Sequence, residues 1–343
     1  MSEFTCENCG TIFTNKSSFT RHVNKKKSCI TRPETSFVVL KPILKWVGGK
    51  TQIIDMLLSV FPNPKEINNY HEIFLGGGSV LFALLYFIKF RNISLNGNIY
   101  AYDLNEPLIC TYKNIQTSPF ELFDEIQVLI QDLMECKKNG IVNRKPKTLE
   151  EAKERDENYY YWTRMRYNNL TTEEKNSVLG SAMFIFLNKT CFRGLFRIGP
   201  NGFNVPFGNY KNPKIIDKEH LLEIHELIKE VHFECCDFTQ SINDNIIPGD
   251  FVYCDPPYAP ETSTSFVGYT ENGFPIDKHI ELFNKIHSLT ENNVKMLMNN
   301  SDVPLVRENF VNEKYTIKTI ECRRSINSKK PQSTTNEVFI KNY

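Results

Sequence analysis

The chain has 343 residues, 41% hydrophobic and 24% charged, with 41 Lys/Arg against 40 Asp/Glu. That length predicts two or three domains, and that composition excludes disordered and fibrous classes. No apolar run approaches the ~18 residues of a membrane span, and "MSEFTCENCG" lacks a signal-peptide layout, so an intracellular protein without membrane contact is expected. Ten cysteines are mostly scattered, as buried thiols are; only Cys6, Cys9 and Cys29 form a pattern.

The charge is uneven. Residues 1–50 hold nine Lys/Arg and three Glu, leaving 32 basic and 37 acidic groups for the rest. A second basic cluster is "RRSINSKK", Arg323 to Lys330. Such clusters serve as solvated surface or as phosphate contacts.

In the N-terminal segment, Cys6-x2-Cys9 precedes Phe13, Phe19, His22 and Cys29. A ββα zinc finger needs those positions: a knuckle supplies two thiolates, two apolar residues make a miniature core, and a helix presents the other ligands. So short a segment buries too little apolar surface to fold alone, and Zn2+ would stabilise it. Residues 4–29 resemble the C2H2-type finger family, with Cys29 in the fourth ligand place. Six residues separate His22 from Cys29, beyond the usual gap, so the helix must break first. The tract Lys25-Lys26-Lys27-Ser28 allows that, although a decayed finger or a basic tail would read similarly. Residues 1–30 are thus assigned to the finger and 31–40 to a linker.

Next comes "LKWVGGKTQI", with Trp46, Gly48, Gly49 and Lys50. A phosphate loop is disfavoured because the first glycine of GxxxxGK[ST] would fall on Leu44. The stretch "FLGGGS" (Phe74 to Ser79) joins a strand to the apolar helix "VLFALLYFI". Glycines there let a cofactor approach the backbone and helix N–H groups, although a tight turn without ligand looks the same. The next strand ends at Asp103 in "AYDLN", where a Rossmann-like fold holds ribose hydroxyls. Together these features argue for a nucleoside cofactor.

A helix is predicted over "SPFELFDEIQVLIQDLMECKK", with Ser118 as N-cap, Pro119 in the first turn, Glu121 closing a capping box, and Phe123, Ile126, Leu129, Ile130 and Leu133 apolar. It belongs to a mostly helical insertion, residues 112–208, between catalytic segments 41–111 and 209–343. The aromatics of "ENYYYWTRMRY" (Glu157 to Tyr167) can stack on bases, with Arg164 and Arg166 on phosphates, or pack as helical core. Seven short apolar runs, "HEIFL", "NIYAYD", "VHFEC", "DFVYC", "VKMLMN", "YTIKTIEC" and "NEVFIKN", read as strands of a largely parallel sheet. In "DFVYCDPPYAP" the prolines stop the strand at Cys254 or Asp255 and leave a stiff turn at the carboxyl edge, where ligands bind in open α/β sheets.

"KWVGGK", "FLGGGS", "AYDLNEPLI", "DFVYCDPPY" and, most distinctively, "FLNKTCFRGLFRIGPNGFNVPFGNY" (Phe186 to Tyr210) resemble the Dam-like, D12 class of DNA adenine-N6 methyltransferases, from about Leu40 to Tyr343. Weaker likenesses are "CDF", "MNNSD" and "RRSINS". The resemblance implies a Rossmann-like S-adenosylmethionine-dependent fold with a target-recognition insertion and a double-stranded DNA substrate; a monomer and a restriction–modification setting are separate expectations that the sequence leaves open. It implies cofactor contacts at Trp46, Gly48, Lys50, Phe74, Gly76, Gly78, Asp103, Asp237, Phe238 and Asp255, and DNA contacts at Arg197, Asn204, Pro206 and Tyr210. The interval from Phe74 to Asp103 is longer than the family's, with a loop insertion expected around "KFRNISLNGN".

The catalytic group is expected to be Asp255, Pro256, Pro257 and Tyr258. The exocyclic amine of adenine is a poor nucleophile because its lone pair is delocalised into the ring. Asp255 and the Pro256 carbonyl can accept its two N–H groups, and Tyr258 can stack on a flipped base. Cytosine N4 poses the same problem, and an RNA adenine is a further alternative. A glutamine-modifying enzyme would carry Asn where this chain has Asp255. From another class, a catalytically idle DNA-binding module would use only the finger and the basic surface.

Overall fold

The computed structural model describes residues 4–5, 12–13, 15–23, 40–91, 93–260, 274–323 and 334–343. It divides into two compact units, Met1–Val39 and Leu40–Tyr343. In the first, β1 (Phe4–Thr5) pairs antiparallel with β2 (Ile12–Phe13), followed by α1 (Lys16–Val23). Asn15 Oδ1 accepts from Ser18 N at 2.8 Å and so caps the helix start. His22 lies on α1; Cys6, Cys9 and Cys29, the 31–39 linker and the basic stretch 324–330 fall outside the described residues. Among the described residues no group of three or more His, Cys, Asp or Glu side chains could hold a metal.

The second unit opens with α2 (Ile54–Ser59), β3 (Tyr70–Glu72), α3 (Ser79–Arg91), β4 (Ile99–Asp103) and α4 (Glu106–Thr117). Helices α5 (Pro119–Met134), α6 (Leu149–Lys153), α7 (Asp156–Asn169), α8 (Thr172–Asn176) and α9 (Val178–Thr190) lead to the hairpin β5 (Ile198–Gly199) and β6 (Gly202–Phe203). The chain then returns through α10 (Lys218–Ile228), β7 (Val231–Cys235), α11 (Phe238–Ser241) and β8 (Phe251–Cys254). It closes with α12 (Ile276–Glu291), β9 (Lys295–Ser301), α13 (Pro304–Asn309), β10 (Thr316–Arg323) and β11 (Thr334–Lys341).

Seven strands form one sheet in the order β10-β11-β9-β8-β3-β4-β7. Those from β9 to β7 run parallel, and only β11 opposes its neighbours. They coincide with the seven apolar runs; in β8 and β9 both faces are covered and leave no polar side to alternate with, whereas β7 and β10 keep an exposed face. On one face Val252, Cys254, Met296, Met298, Val338 and Ile340 pack with Leu282, Phe283 and Ile286 of α12. On the other, Tyr112 of α4 stacks on Phe233 at 5.3 Å and meets Phe82 of α3 edge-on at 5.8 Å. Order reverses beside β3: the chain steps outward to β4 and β7, then returns on the other flank as β8. Such a switch opens a crevice beyond the strand ends.

The inserted helices pack around α9, which is apolar on nearly all sides and accordingly buried. Local expectations fare differently. Ser118 does sit before α5, but it also ends α4, and its side chain makes no cap bond at φ −140°, ψ 50°. The tyrosine cluster is core: Tyr159, Tyr160, Tyr161 and Tyr167 are buried, Tyr160 donates to Val205 O at 2.7 Å, and Arg164 donates to the same carbonyl at 3.0 Å. In "KFRNISLNGN" residues 89–91 form the last turn of α3, and the described residues 93–98 are a connection. Helix α4 runs unbroken through Tyr112.

Candidate active site

The crevice lies at the carboxyl ends of β3, β4 and β8, a cavity of about 1700 Å³ lined by Trp46, Lys50, Phe74, Asp103, Asp237 and Asp255 among others. Each wall is built from a strand end and the turn it forces.

After β3, Leu75 N bonds to Tyr102 O at 2.8 Å, and the chain turns through Gly76 (φ +51°) into α3. A Cβ on Gly76 would come within 2.9 Å of the Trp46 indole, so the missing side chain makes room for that ring as well as for backbone curvature. Trp46 in turn stacks on Phe196 from the insertion at 5.7 Å. Gly78 does not line the cavity; its φ of +72° and the nearby Phe82 ring and Tyr112 hydroxyl tie it to the helix packing behind.

Asp103 ends β4 as predicted. One carboxylate oxygen accepts from Gly76 N at 2.8 Å and the other from Asn105 N at 2.9 Å, so the acid clamps two turns together while lining the cavity. Burial pushes its pKa up, against those backbone bonds. Asp237 works similarly, accepting from Thr239 N at 3.0 Å and Thr239 Oγ1 at 2.7 Å in a capping box with Gln240. Phe238 behind it is 5.9 Å from Phe74 and 5.7 Å from Phe274, giving an aromatic wall. Each Asp103 oxygen keeps a further lone pair for a hydroxyl or amine, whereas Asp237 Oδ1 already accepts twice from Thr239. Acids at strand ends, aromatic faces and a glycine turn make a donor set that fits a nucleoside bearing a charged side arm.

Lys50 was expected against the cofactor. It is 6% exposed and pairs with Asp255 Oδ2 at 2.7 Å. Its ammonium also donates to Gly48 O at 2.8 Å and lies 4.9 Å from the centroid of the Tyr258 ring. The Gly48 conformation (φ +83°) belongs to this turn. Removing either charge would strand the other, a cost of about 3–5 kcal/mol for buried pairs. Burial raises the Asp255 pKa, with Lys50 opposing it. Its other oxygen, Oδ1, is buried with no hydrogen-bond partner among the described residues. Such an acceptor calls for a donor.

Pro256, Pro257 and Tyr258 follow Asp255 along the cavity wall. Their turn is braced by β9: Ala259 N donates to Asn300 Oδ1 at 2.9 Å, and Ser301 Oγ donates to Ala259 O at 2.5 Å. The four residues Arg197, Asn204, Pro206 and Tyr210 lie around the β5–β6 hairpin. Arg197, exposed, donates through Nε to Asn204 Oδ1 at 2.5 Å. Pro206 O accepts from Phe192 N at 2.8 Å. The Tyr210 hydroxyl accepts from Arg193 N at 2.9 Å, with Lys45 Nζ 4.4 Å from its ring centroid. Of the four, only Arg197 reaches the cavity.

Several lining residues escaped sequence reasoning. Glu72 at the end of β3 is buried, accepts from the Tyr70 hydroxyl at 2.7 Å, and has its pKa pushed up to about 8, first by burial. Glu337 on β11 and Lys278 on α12 also face the cavity. The only sequence signal for Glu72 was an acid inside an otherwise apolar run.

Residues 46–326 match the family profile described as D12 class N6 adenine-specific DNA methyltransferase. The Methanocaldococcus jannaschii type II methyltransferase M.MjaIII is 35% identical over 312 residues, 89% of this chain and 99% of that protein. The Haemophilus influenzae DNA adenine methylase is 31% identical over 83% of this chain and 87% of its own length. The Escherichia coli retron Ec67 DNA adenine methylase is 30% identical, with 84% and 86% covered.

Proposed function

This chain belongs to the D12 class of N6 adenine-specific DNA methyltransferases, S-adenosylmethionine-dependent enzymes with a mostly parallel α/β core, and on that premise we propose how its own residues carry the reaction. Asp255 Oδ1 and the Pro256 carbonyl accept the two N–H groups of the target adenine amine. Doing so turns the nitrogen lone pair out of the ring and stabilises the charge that develops on nitrogen. S-adenosylmethionine supplies a methyl group already activated on sulfonium. As the new N–C bond forms, the sulfonium S–CH3 bond would break with its electron pair returning to sulfur, S-adenosylhomocysteine would leave, and the surplus proton would leave nitrogen along the Asp255 hydrogen bond. Prolines 256 and 257 keep the acceptors in place, and rate comes from orientation rather than a covalent intermediate.

The single observation that carries this reading is the buried, unpartnered oxygen of Asp255 beside a paired one. Lys50 fixes the first oxygen and leaves the second to the substrate. Tyr258 forms the stacking wall for a base extruded from the duplex, offsetting part of the few kcal/mol that extrusion costs. Trp46, Gly48, Phe74, Gly76, Asp103, Asp237 and Phe238 hold the cofactor: the acids take its ribose and adenine polar groups, the rings its flat face. Arg197 and Asn204 exchange their mutual bond for DNA, with Pro206 and Tyr210 shaping the loop. A GATC-like site is the recognition sequence proposed. The N-terminal unit, with Cys6, Cys9, His22 and Cys29 on zinc, anchors the chain on DNA.

The test is transfer of tritiated methyl from S-adenosylmethionine to unmethylated duplex DNA, followed by digestion. N6-methyladenine at GATC-like sites is expected. N4-methylcytosine alone would overturn the adenine assignment, and N6-methyladenine elsewhere would overturn the site.

A further inference from the structure

The turn after β8 is held from outside by strands that contribute nothing to the acceptor pair. Beyond the two Ala259 bonds to β9, the Tyr258 hydroxyl donates to Glu337 Oε2 at 2.7 Å. Glu337 stands on β11, opposite Ser301 of β9 in the register, so both braces come from adjacent rungs. Both Tyr258 and Glu337 line the cavity. Burial, then Asp255 and Glu337, drive the Tyr258 phenol well above its ordinary range, so it stays a donor. A phenol donating to a carboxylate makes a charge-assisted bond, roughly twice as strong as a neutral one.

We propose that Glu337 is a positioning residue for methyl transfer, fixing the Tyr258 ring at the angle on which an extruded base stacks. This rests on the reading of Tyr258 as the stacking wall. A tyrosine ring has two torsions. Packing limits them, and the hydroxyl bond 2.7 Å from Glu337 pins the far end of the lever. Lys50, 4.9 Å from the same ring centroid and 2.7 Å from Asp255, couples the ring position to the acceptor pair. Freed at its tip, the ring would rock, and the adenine amine would spend less time aligned with Asp255 Oδ1. A loss of orientation lowers kcat more than cofactor affinity.

The experiment uses the full-length chain and duplexes carrying adenine or 2-aminopurine at the position it methylates, mapped beforehand by sequencing. Glu337→Ala should lower kcat about tenfold, leave KM for S-adenosylmethionine within about twofold, and shift 2-aminopurine fluorescence in the complex as Tyr258→Phe does. Glu337→Gln, which keeps an acceptor, should recover to within about threefold of the parent. In the Tyr258→Phe background Glu337→Ala should cost nothing more, because the bond is already absent. The proposal is overturned if Glu337→Ala matches the parent in rate and fluorescence, or repeats its full loss in the Tyr258→Phe background. Where Glu337→Ala does not fold, Glu337→Asp, which withdraws the carboxylate by one methylene, replaces it with the same expectations. Tyr258→Ala separates the two ideas: if it leaves rate and fluorescence unmoved, the stacking wall itself is wrong and Glu337 falls with it. If it is impaired while Glu337→Ala is not, only the Glu337 assignment fails.

Discussion

The carboxyl edge of the sheet and the β5–β6 hairpin hold the side chains proposed for chemistry and for DNA recognition in opposite ways. At the sheet edge, Asp255, Asp103 and Tyr258 are fixed by partners from other segments of the chain, with Lys50 nearly buried. On the hairpin, exposed Arg197 bonds chiefly to Asn204, its cross-hairpin neighbour. Even there the support is buried: Asn168 of α7 donates to Phe203 O and accepts from Phe203 N, while Tyr160 and Arg164 hold Val205 O. Chemistry needs acceptors that do not move, whereas recognition needs donors that can change partner. Rigid and exchangeable parts thus share one scaffold.

That contrast can be broken first at Gly76. Gly76→Ala places a methyl 2.9 Å from the Trp46 indole at a positive φ, and should cost roughly 2–4 kcal/mol of stability from strain and overpacking together. Urea unfolding would read it, and a loss under about 0.5 kcal/mol would show that the turn is not rigid. Arg197→Ala should do the reverse, leaving the unfolding midpoint unchanged while discrimination against single-base site variants falls by about 1–3 kcal/mol, measured as ratios of kcat/KM. Uniform weakening across all sequences would instead assign Arg197 to a phosphate.

Smaller effects sharpen the picture. The Glu72 carboxyl titrates near 8 in the fold against an ordinary 4.5, so between those values the folded state holds the extra proton. Stability therefore falls as pH rises through that window. Glu72→Gln keeps an acceptor for Tyr70 and removes the buried charge. It should melt a few degrees above the parent at pH 8.5, about 2–4 °C, with the gap closing toward pH 5. A pH-independent gap would mean Glu72 is not titrating. Smallest is the N-terminal unit: Cys6→Ser should lose about one bound zinc per chain and weaken DNA retention severalfold without altering turnover on saturating DNA. Retained binding with no metal would remove the finger.

Sequence legibility followed the same division. The central strands could be read because both of their faces are covered and show no polar alternation, and the turn at Asp255 because two prolines cannot continue a central strand. Asp103 could be placed because an acid ending a strand stands out. The pairing of Lys50 with Asp255 could not be read, since it joins distant segments and lysine is ordinarily at the surface. Glu337 gave no signal, because an acid on a strand near the sheet edge looks like ordinary solvent-facing charge. "MNNSD" did carry one: polar residues ending an apolar strand, which proved to be the Asn300 and Ser301 braces. Tyr159 to Tyr161 stayed open between base stacking and core because tyrosine suits both, and their burial with the Val205 carbonyl bond decides for core. Ser118 had the right local pattern, but its backbone was already committed to ending α4.

The most direct test is single-turnover methyl transfer by Asp255→Ala with DNA and S-adenosylmethionine in excess over their dissociation constants. The rate should fall at least about 10³-fold while DNA retention stays within about threefold, as expected when an acceptor that acts in the transition state is lost. Turnover at the parent rate would contradict the assignment of the unpartnered Asp255 oxygen to the adenine amine.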